Sequence, residues 1–218
     1  MTGGAYAEAV ILPADRLVRV PDGVSDEQAA SIMLKGMTVQ YLVTQTYRVQ
    51  KGDTVLLHAA AGGVGLIACQ WARLLGLQLI GTAGSDEKCA LAKEHGASFV
   101  INYTQEDFLP RVREITGGKG VKVVYDSVGR DTWDRSLDCL RPFGLMASFG
   151  NSSGPPAPFA PVVLAQKGSL YVTRQVLFTH IATRETAQEM ADDLFSVVRS
   201  GAVKIRIDQR FPLAEAQE

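Results

Sequence analysis

The sequence predicts an α/β fold, a doubly wound parallel sheet of the Rossmann type. First, six short apolar runs alternate with stretches of helical periodicity, as in a sheet whose strands are joined by helical crossovers. Second, a cluster of small residues, Ala60–Gly65, lies between the first run and the first helical stretch. Third, 218 residues with 46% hydrophobic side chains are enough for one large domain, or for one domain and part of another.

The predicted strands are short, rich in β-branched or aliphatic residues, and mostly apolar rather than alternating. Such runs are typical of parallel strands buried on both faces, joined by right-handed connections. We expect about six strands in the doubly wound order, with a ligand at the carboxyl ends of the strands that begin near Thr54 and Val121. The strands are predicted over 54–60, 77–83, 98–103, 121–127, 144–150 and 169–175.

Cap and stop signals mark the first two helices between the strands. The helix after the glycine cluster has an apolar stripe that begins at Val64, and Gly76 can end it in the left-handed conformation. Ser85 is expected to cap the next helix, which Gly96 ends.

A third helix is predicted after the run at 98–103. Thr104 and Asp107 have the spacing of a capping box before the segment FLPRVREITGG. Pro110 conflicts with a regular helix there, because proline lacks an N–H group and clashes with the preceding turn. We therefore expect Pro110 to delay the regular part of this helix.

The two ends of the chain do not fit the repeat of strands and helices. Residues 1 to about 27 predict strand and loop pieces, with prolines at 13 and 21. The last segment, FPLAEAQE, predicts the opening of a helix in which Leu213 and Ala216 begin an apolar stripe, and a helix so short is marginal alone. We expect the chain to be a piece of a longer protein, with material missing at both ends.

Composition and charge argue against several classes of protein. The formal charge is −1 without a basic run, so nucleic-acid binding is not indicated. No apolar run reaches the length of about 20 residues that a membrane span needs. The N-terminal segment MTGGAYAEAV has no basic region followed by an apolar region, as a signal peptide would. We therefore expect a cytoplasmic protein that does not bind membranes. Cys69, Cys89 and Cys139 are odd in number and far apart, which favours reduced core thiols over disulfides or a zinc ribbon.

The glycine cluster has two explanations. Aligned to the dinucleotide fingerprint G-x-G-x-x-G, it has Ala60 in place of the first glycine. Bare backbone at Gly62 and Gly63 would let a pyrophosphate lie against the following helix, whose N-terminal N–H groups and dipole favour an anion. A tight turn kept only for packing explains Gly65 but leaves the other two glycines without a purpose. The strand before the cluster and the helix that opens inside it favour a dinucleotide.

The end of the second predicted strand indicates which dinucleotide binds. An NAD site usually has Asp or Glu there, about 20 residues past the glycines, to accept from the ribose 2′-OH. Gly84 and Ser85 take that place here, which leaves room for the 2′-phosphate of NADPH, and Lys88 can direct a charge at it. We interpret Asp86 as a first-turn residue favoured by the helix dipole. The alternative for Lys88 is an ordinary solvated lysine.

Six segments carry a resemblance to one known family: LKGMTVQYL (34–42), HAAAGGVGLIACQWA (58–72), INYTQEDF (101–108), ITGGKGVKVVYDSVGRDTWDRSLDCL (115–140), SFGNSSG (148–154) and QKGSLYVTR (166–174). Together they are similar to the NADPH:quinone oxidoreductases, the zeta-crystallin-like branch of the medium-chain dehydrogenase/reductase superfamily, over nearly the whole chain. The resemblance implies an NADPH-binding domain at 36–200, between two pieces of a GroES-like substrate domain at 1–35 and 201–218.

The resemblance also implies site residues. Tyr41 resembles the family's cofactor-contacting tyrosine and Tyr103 resembles one beside the adenosine phosphate; a helix residue facing the sheet and a strand-end core residue are the respective alternatives. Leu34 stands where zinc-dependent relatives have a ligand, and the histidines lack partners at metal spacing, so we expect no metal. The residues expected to bind the cofactor are Thr38, Tyr41, Gly62, Gly63, Val64, Gly84, Ser85, Lys88, Tyr103, Val128, Gly150, Asn151 and Ser152.

From this resemblance we expect an enzyme that passes a hydride from NADPH to a quinone or a similar conjugated carbonyl, without zinc. The reduced product would take its proton from solvent or a nearby donor, so no catalytic residue is assigned. The alternatives are a nucleotide-binding fragment without catalysis, with an RNA-binding or structural role, and an enoyl reductase of the same superfamily. The resemblance further implies a homodimer through the edge strand near 169–175.

Overall fold

A computed structural model describes residues 5–216. Its centre is a six-stranded sheet with the strand order β3-β2-β1-β4-β5-β6, and every neighbouring pair is parallel. The predicted six strands and their doubly wound order are confirmed. The strands are β1 Thr54–Leu57, β2 Gln78–Ala83, β3 Phe99–Asn102, β4 Val121–Asp126, β5 Leu140–Ser148 and β6 Tyr171–Arg174.

Helices connect the strands and cover both faces of the sheet. Two short 3₁₀ turns lie near the ends of the described chain, at Ala14–Arg16 and Leu213–Glu215, and a π-helical turn, Leu42–Thr46, extends the first helix. Among the helices described between residues 5 and 216, none is long and apolar enough to cross a bilayer. The helices are α1 Asp26–Tyr41, α2 Gly63–Leu74, α3 Asp86–Glu94, α4 Phe108–Ile115, α5 Trp133–Cys139, α6 Val162–Gln166, α7 Leu177–His180 and α8 Arg184–Arg199.

Two apolar cores lie on opposite faces of the sheet. Along β1, Val55 and Leu57 belong to the core formed with α1, α2 and α8, whereas Leu56 belongs to the core formed with α4 and α5. Side chains alternate between the faces of a strand, so a strand covered on both faces must be apolar at every position. This explains why the strand runs lack polar alternation.

The helix signals between the strands act as the sequence predicts. Gly76 and Gly96 have φ angles of 71° and 114°, in the left-handed region that lets glycine end a helix. The Ser85 hydroxyl accepts a hydrogen bond from the Lys88 N–H at 3.3 Å and caps α3. Gly76 and Gly96 lie just before β2 and β3, at the edge where these strands begin, whereas Ser85 lies after β2, at the opposite edge.

The start of α4 corrects one expectation. The Asp107 carboxylate caps the helix by accepting from the Leu109 N–H at 3.1 Å, and the helix begins at Phe108. The delay expected from Pro110 is therefore wrong. Pro110 lies in the first turn, where an N–H group has no partner within the helix and its loss costs little. Thr104, the other half of the expected capping box, instead donates to the Asn102 side chain.

The N-terminal segment corrects a second expectation. Within residues 5–25 the structure contains no strand, only the 3₁₀ turn Ala14–Arg16. The predicted strand pieces are therefore wrong for these residues, in which Pro13 and Pro21 remove two of the N–H donors that a sheet would need. Ser25 then starts α1 through a reciprocal capping box with Gln28. Residues 1–4 and 217–218 lie outside the described residues.

The three cysteines are free thiols. Cys69 and Cys139 are fully buried, and burial raises the pKa of each thiol to about 12, as expected of core residues. Cys89 is only partly buried, so the core interpretation is wrong for this residue. It lies on α3, a helix whose buried part is small.

Candidate functional site

A cavity of about 800 Å³ lies at the carboxyl edge of the sheet, where the turns after β1 to β5 converge. Such an edge is the usual ligand site of an open parallel sheet. Six of the residues predicted for the cofactor line this cavity: Gly62, Gly84, Lys88, Tyr103, Val128 and Ser152.

Gly65 is the glycine of the cluster that tight packing explains. A Cβ atom on Gly65 would lie 2.4 Å from the carbonyl oxygens of both Ala59 and Ala60. Backbone cannot retreat as a flexible side chain can, so only glycine lets α2 pack this closely on the end of β1. Gly65 is therefore required by the fold.

Gly63 belongs to a different environment. A Cβ atom there would lie 2.8 Å from the Cδ and Cε atoms and 3.0 Å from the Nζ atom of Lys35. A lysine ammonium therefore lies beside the first turn of α2, and the helix's N-cap, Gly62, has no side chain that could accept from the first N–H groups. Free N–H groups, a positive helix end and a cation together favour an anion at this place.

Lys35 is a candidate site residue that the sequence alone does not indicate. It lies on α1 and lines a second cavity of about 420 Å³, behind the glycine turn. The next residue, Gly36, lies where α1 packs on α8, since its Cβ would lie 2.5 Å from the Leu194 side chain. Lys35 of the same helix lies over Gly63 of α2, and no spacing along the chain indicates that contact.

The turn after β2 and the end of β3 form the other side of the main cavity. A Cβ on Gly84 would lie 2.6 Å from the hydroxyl oxygen of Tyr103, so this tyrosine lies directly over the bare backbone of Gly84. Tyr103 is 56% exposed, which excludes the alternative that it is a core residue. Lys88 lines both cavities, and Ser85 is occupied as the cap of α3.

Asp86 is held by hydrogen bonds from two amide side chains. Its Oδ1 atom accepts from the Asn102 side-chain amide at 2.7 Å, and its Oδ2 atom accepts from the Gln105 amide at 3.1 Å. These two amides hold the pKa of the Asp86 carboxyl below its usual value. Its place as the first residue of α3 agrees with the first-turn interpretation.

Buried acceptors shape the wall formed by the loops after β4 and β5. Asp126, fully buried at the end of β4, accepts from the N–H groups of Val128 at 2.6 Å and Gly129 at 3.0 Å. The second loop pairs with the first, since the Ser152 N–H donates to the Ser127 carbonyl at 3.0 Å. A Cβ on Gly150 would lie 2.8 Å from that same carbonyl, so Gly150 permits the two loops to touch.

A polar network beneath the cavity joins three strands through His58. Asp126 can only accept, so the Ser136 hydroxyl donates to it at 3.4 Å. Ser136 then accepts from His58 Nε2–H at 2.9 Å, and His58 Nδ1 accepts from the Thr82 hydroxyl at 2.9 Å. Burial lowers the pKa of His58 to about 4, although Asp126 opposes this shift. His58 is thus a neutral, satisfied core histidine.

The remaining predicted residues do not line the main cavity within the described chain. The Thr38 hydroxyl donates to the Leu34 carbonyl at 2.8 Å, inside α1. Tyr41 is 2% exposed and stacks on His180 with ring centroids 4.4 Å apart. Gly63, Val64, Ser85, Gly150 and Asn151 are the other predicted residues outside the lining, and the cofactor contacts expected of all thirteen residues stay predictions.

This fold and edge define a dinucleotide-binding domain of the Rossmann class. A family model described as "Zinc-binding dehydrogenase" matches residues 63–196. A quinone oxidoreductase of Pseudomonas aeruginosa is 56% identical over 98% of this chain and 66% of its own length. A 2-haloacrylate reductase of a Burkholderia species is 47% identical over 98% of this chain and 65% of its own length.

A solved structure extends the likeness to three dimensions. The crystal structure of Escherichia coli quinone oxidoreductase complexed with NADPH superposes with a TM-score of 0.87, at 55% identity, over 91% of this chain and 61% of that one. The chain belongs to the zinc-binding dehydrogenase family, in its quinone oxidoreductase branch. It spans about two thirds of the length of the curated relatives that it matches.

The family description names zinc, but the described residues do not fit that metal. Between residues 5 and 216 no three His, Cys, Asp or Glu side chains come together as possible ligands. A structural or catalytic zinc needs three or four such groups. Independence of the reaction from zinc stays a prediction.

Proposed function

We propose that this chain is the NADPH-binding part of an oxidoreductase that transfers a hydride from NADPH to a quinone or a similar conjugated carbonyl, without zinc. The observation that carries the proposal is the pair of cations at one edge. Lys35 lies beside the bare turn at Gly63, and Lys88 lines the main cavity together with Gly84 and Tyr103. A pyrophosphate and a 2′-phosphate are the two anionic parts of NADPH, and each has a matching cation here.

The cofactor would supply the hydride, and the residues of this chain would bind and orient it. Backbone N–H groups at the start of α2 and the Lys35 ammonium would hold the pyrophosphate. Lys88 and the Tyr103 hydroxyl would hold the 2′-phosphate. Val128 and Ser152, placed by the buried Asp126 and the paired loops, would line the path toward the nicotinamide. These groups contribute position and exclusion of water rather than proton transfer.

The relative named 2-haloacrylate reductase supports a second candidate, reduction of a carbon–carbon double bond conjugated with a carboxyl or carbonyl group. The two reactions would share every residue of the cofactor edge. They would differ in the substrate wall, which in the proposed protein comes largely from the GroES-like segments beyond this chain.

Oxidation of NADPH, followed by its absorbance, tests the proposal. The full-length gene product should oxidise NADPH with 1,4-benzoquinone, and 2-chloroacrylate is the probe for the second candidate. The chain alone, titrated by calorimetry, should bind NADPH. Turnover by neither protein, together with normal NADPH binding, would favour the binding fragment without catalysis, and absent NADPH binding would overturn the whole proposal.

We also propose a cytoplasmic homodimer joined at β6. This strand is an edge of the sheet and presents unpaired backbone groups that a second copy could pair with. Tyr171 at its start is 60% exposed. Light scattering should give twice the chain mass. An Arg174→Pro substitution should shift the mass toward the monomer, because the Gln175 N–H bonds to β5 and the N–H of the preceding residue, Arg174, therefore faces the free edge.

A further inference from the structure

Asp86 occupies a position where a carboxylate could harm the proposed site. It follows Gly84 and Ser85 at the end of β2, the region from which an NAD site presents its ribose acid. A carboxylate free to face the ribose would accept from a 2′-OH and repel a 2′-phosphate. Gly84 and Lys88, on either side of Asp86 in the sequence, line the main cavity, whereas Asp86 is not among its lining residues in the described chain.

Two amide side chains account for this orientation. The Asn102 and Gln105 amides both donate to the Asp86 carboxylate, and we name this arrangement the Asp86 clasp. Asn102 is largely buried at the end of β3, so its side chain cannot follow Asp86 if the carboxylate turns. Gln105 lines the main cavity and holds the second carboxylate oxygen from the solvent side.

The direction of the Asn102 hydrogen bond is determined by its other partner. The Thr104 N–H can only donate, and it lies 3.1 Å from Asn102 Oδ1. The Thr104 hydroxyl lies 2.7 Å from the same atom. Asn102 Oδ1 is therefore the acceptor and Nδ2 the donor, which makes an amide the side chain that position 102 needs. An aspartate there would keep the acceptor and lose the donor.

We propose that Asn102 and Gln105 are positioning residues for cofactor choice: by holding the Asp86 carboxylate toward the end of β3, they let the site accept the 2′-phosphate of NADPH. The inference rests on the proposed function, because it concerns the same cofactor edge. Hydrogen bonds of an amide to a carboxylate are charge-assisted and stronger than neutral ones. Two of them favour the turned-away orientation over one that faces the ligand.

Binding of NADPH and of NADH, titrated by calorimetry, tests the clasp. In Asn102→Ala/Gln105→Ala the ratio of NADPH to NADH affinity should fall by about tenfold or more, because the freed carboxylate repels one ligand and accepts from the other. Asp86→Ala in the unaltered chain should leave the ratio within about threefold, since that charge is already turned away. Adding Asp86→Ala to the double variant should restore the ratio.

The possible results distinguish a failure of the Asp86 clasp from a failure of the proposed NADPH-binding function. If the unaltered chain does not prefer NADPH, the proposed function fails first. If it prefers NADPH but the double variant keeps the ratio, or loses both affinities equally, the clasp does not act on selectivity. If Asp86→Ala alone weakens NADPH as much as the double variant does, the clasp supports the Tyr103 turn instead. Gln105 lies at an exposed position, so Gln105→Ala should fold even if Asn102→Ala does not. This single variant should lower the ratio of NADPH to NADH affinity by about threefold.

Discussion

The two halves of the carboxyl edge achieve their shape by different means. In the half formed after β1, β2 and β3, the exposed side chains of Lys88 and Tyr103 line the cavity, and Tyr103 lies over the bare backbone of Gly84. In the half formed after β4 and β5, a buried carboxylate, Asp126, holds the backbone N–H groups of the loop. The first half presents charge to a ligand, and the second determines the path of the backbone. Substitution of the exposed side chains in the first half should therefore change binding, and substitution of the buried Asp126 in the second should change stability.

The largest effects are expected at two glycines of the same turn, which allow a matched comparison. Gly65→Val would force a side chain into carbonyl oxygens 2.4 Å from its Cβ, and should destabilise the chain by about 3 kcal/mol or more. At Gly63 the three atoms nearest to an added Cβ belong to the flexible end of Lys35. Gly63→Val should leave thermal unfolding nearly unchanged and weaken NADPH by at least about a hundredfold, because the side chain takes the place of the pyrophosphate. Normal NADPH titration by a folded Gly63→Val variant would refute the pyrophosphate site.

The next effect is expected in the second half. Asp126→Ala removes the acceptor of the Val128 and Gly129 N–H groups and of the Thr132 hydroxyl. Unsatisfied buried donors should cost about 3 kcal/mol in urea unfolding. Asp126→Asn keeps one oxygen for the two N–H groups and should lose clearly less. Equal losses in the two variants would mean that the loop N–H groups are not the reason for the acid.

The two lysines sharpen the comparison within the first half. Lys88→Ala should weaken NADPH by about 1.5 to 3 kcal/mol, roughly ten- to more than a hundredfold, and leave NADH almost unchanged. Lys35→Ala should weaken both cofactors alike, by roughly tenfold, because both contain the pyrophosphate. Calorimetric titration of each cofactor separates the two patterns. Equal loss of both cofactors in Lys88→Ala would show that Lys88 contacts the part they share.

At neutral pH the smallest effect is expected from His58, which makes stability depend on pH only in the acid range. Its pKa is lowered to about 4 in the folded chain, whereas the unfolded side chain has a pKa of about 6.5. Between these pH values His58 binds a proton in the unfolded state but not in the folded state. The free energy of unfolding therefore falls as the pH falls from about 6.5 to 4. The slope from one group is at most about 1.4 kcal/mol per pH unit. His58→Gln should unfold with a shallower pH dependence, and an identical slope would place the titration elsewhere.

Much of the fold follows from chemistry that acts within a few residues. Six apolar runs indicate six strands buried on both faces, Ser85 is a cap because its hydroxyl reaches an N–H group three residues on, and Gly76 ends α2 because glycine tolerates a positive φ. Reasoning from neighbouring residues fails at Pro110, because a proline is tolerated in the first turn of a helix and harmful one turn later. It also misses α8, although Met190, Leu194 and Phe195 form a buried stripe at helical spacing.

What the sequence by itself determined about this protein is the alternation of strands and helices, the bare turn between β1 and α2, and the lack of a ribose acid at Gly84 and Ser85. Only the tertiary structure decided that Lys35 lies over Gly63, that Asn102 and Gln105 hold Asp86, and that His58 joins Thr82 to Ser136. The physical reason is distance along the chain. A cap or a turn depends on its immediate neighbours, whereas these contacts join separate elements that meet only after the strand order of the sheet is established.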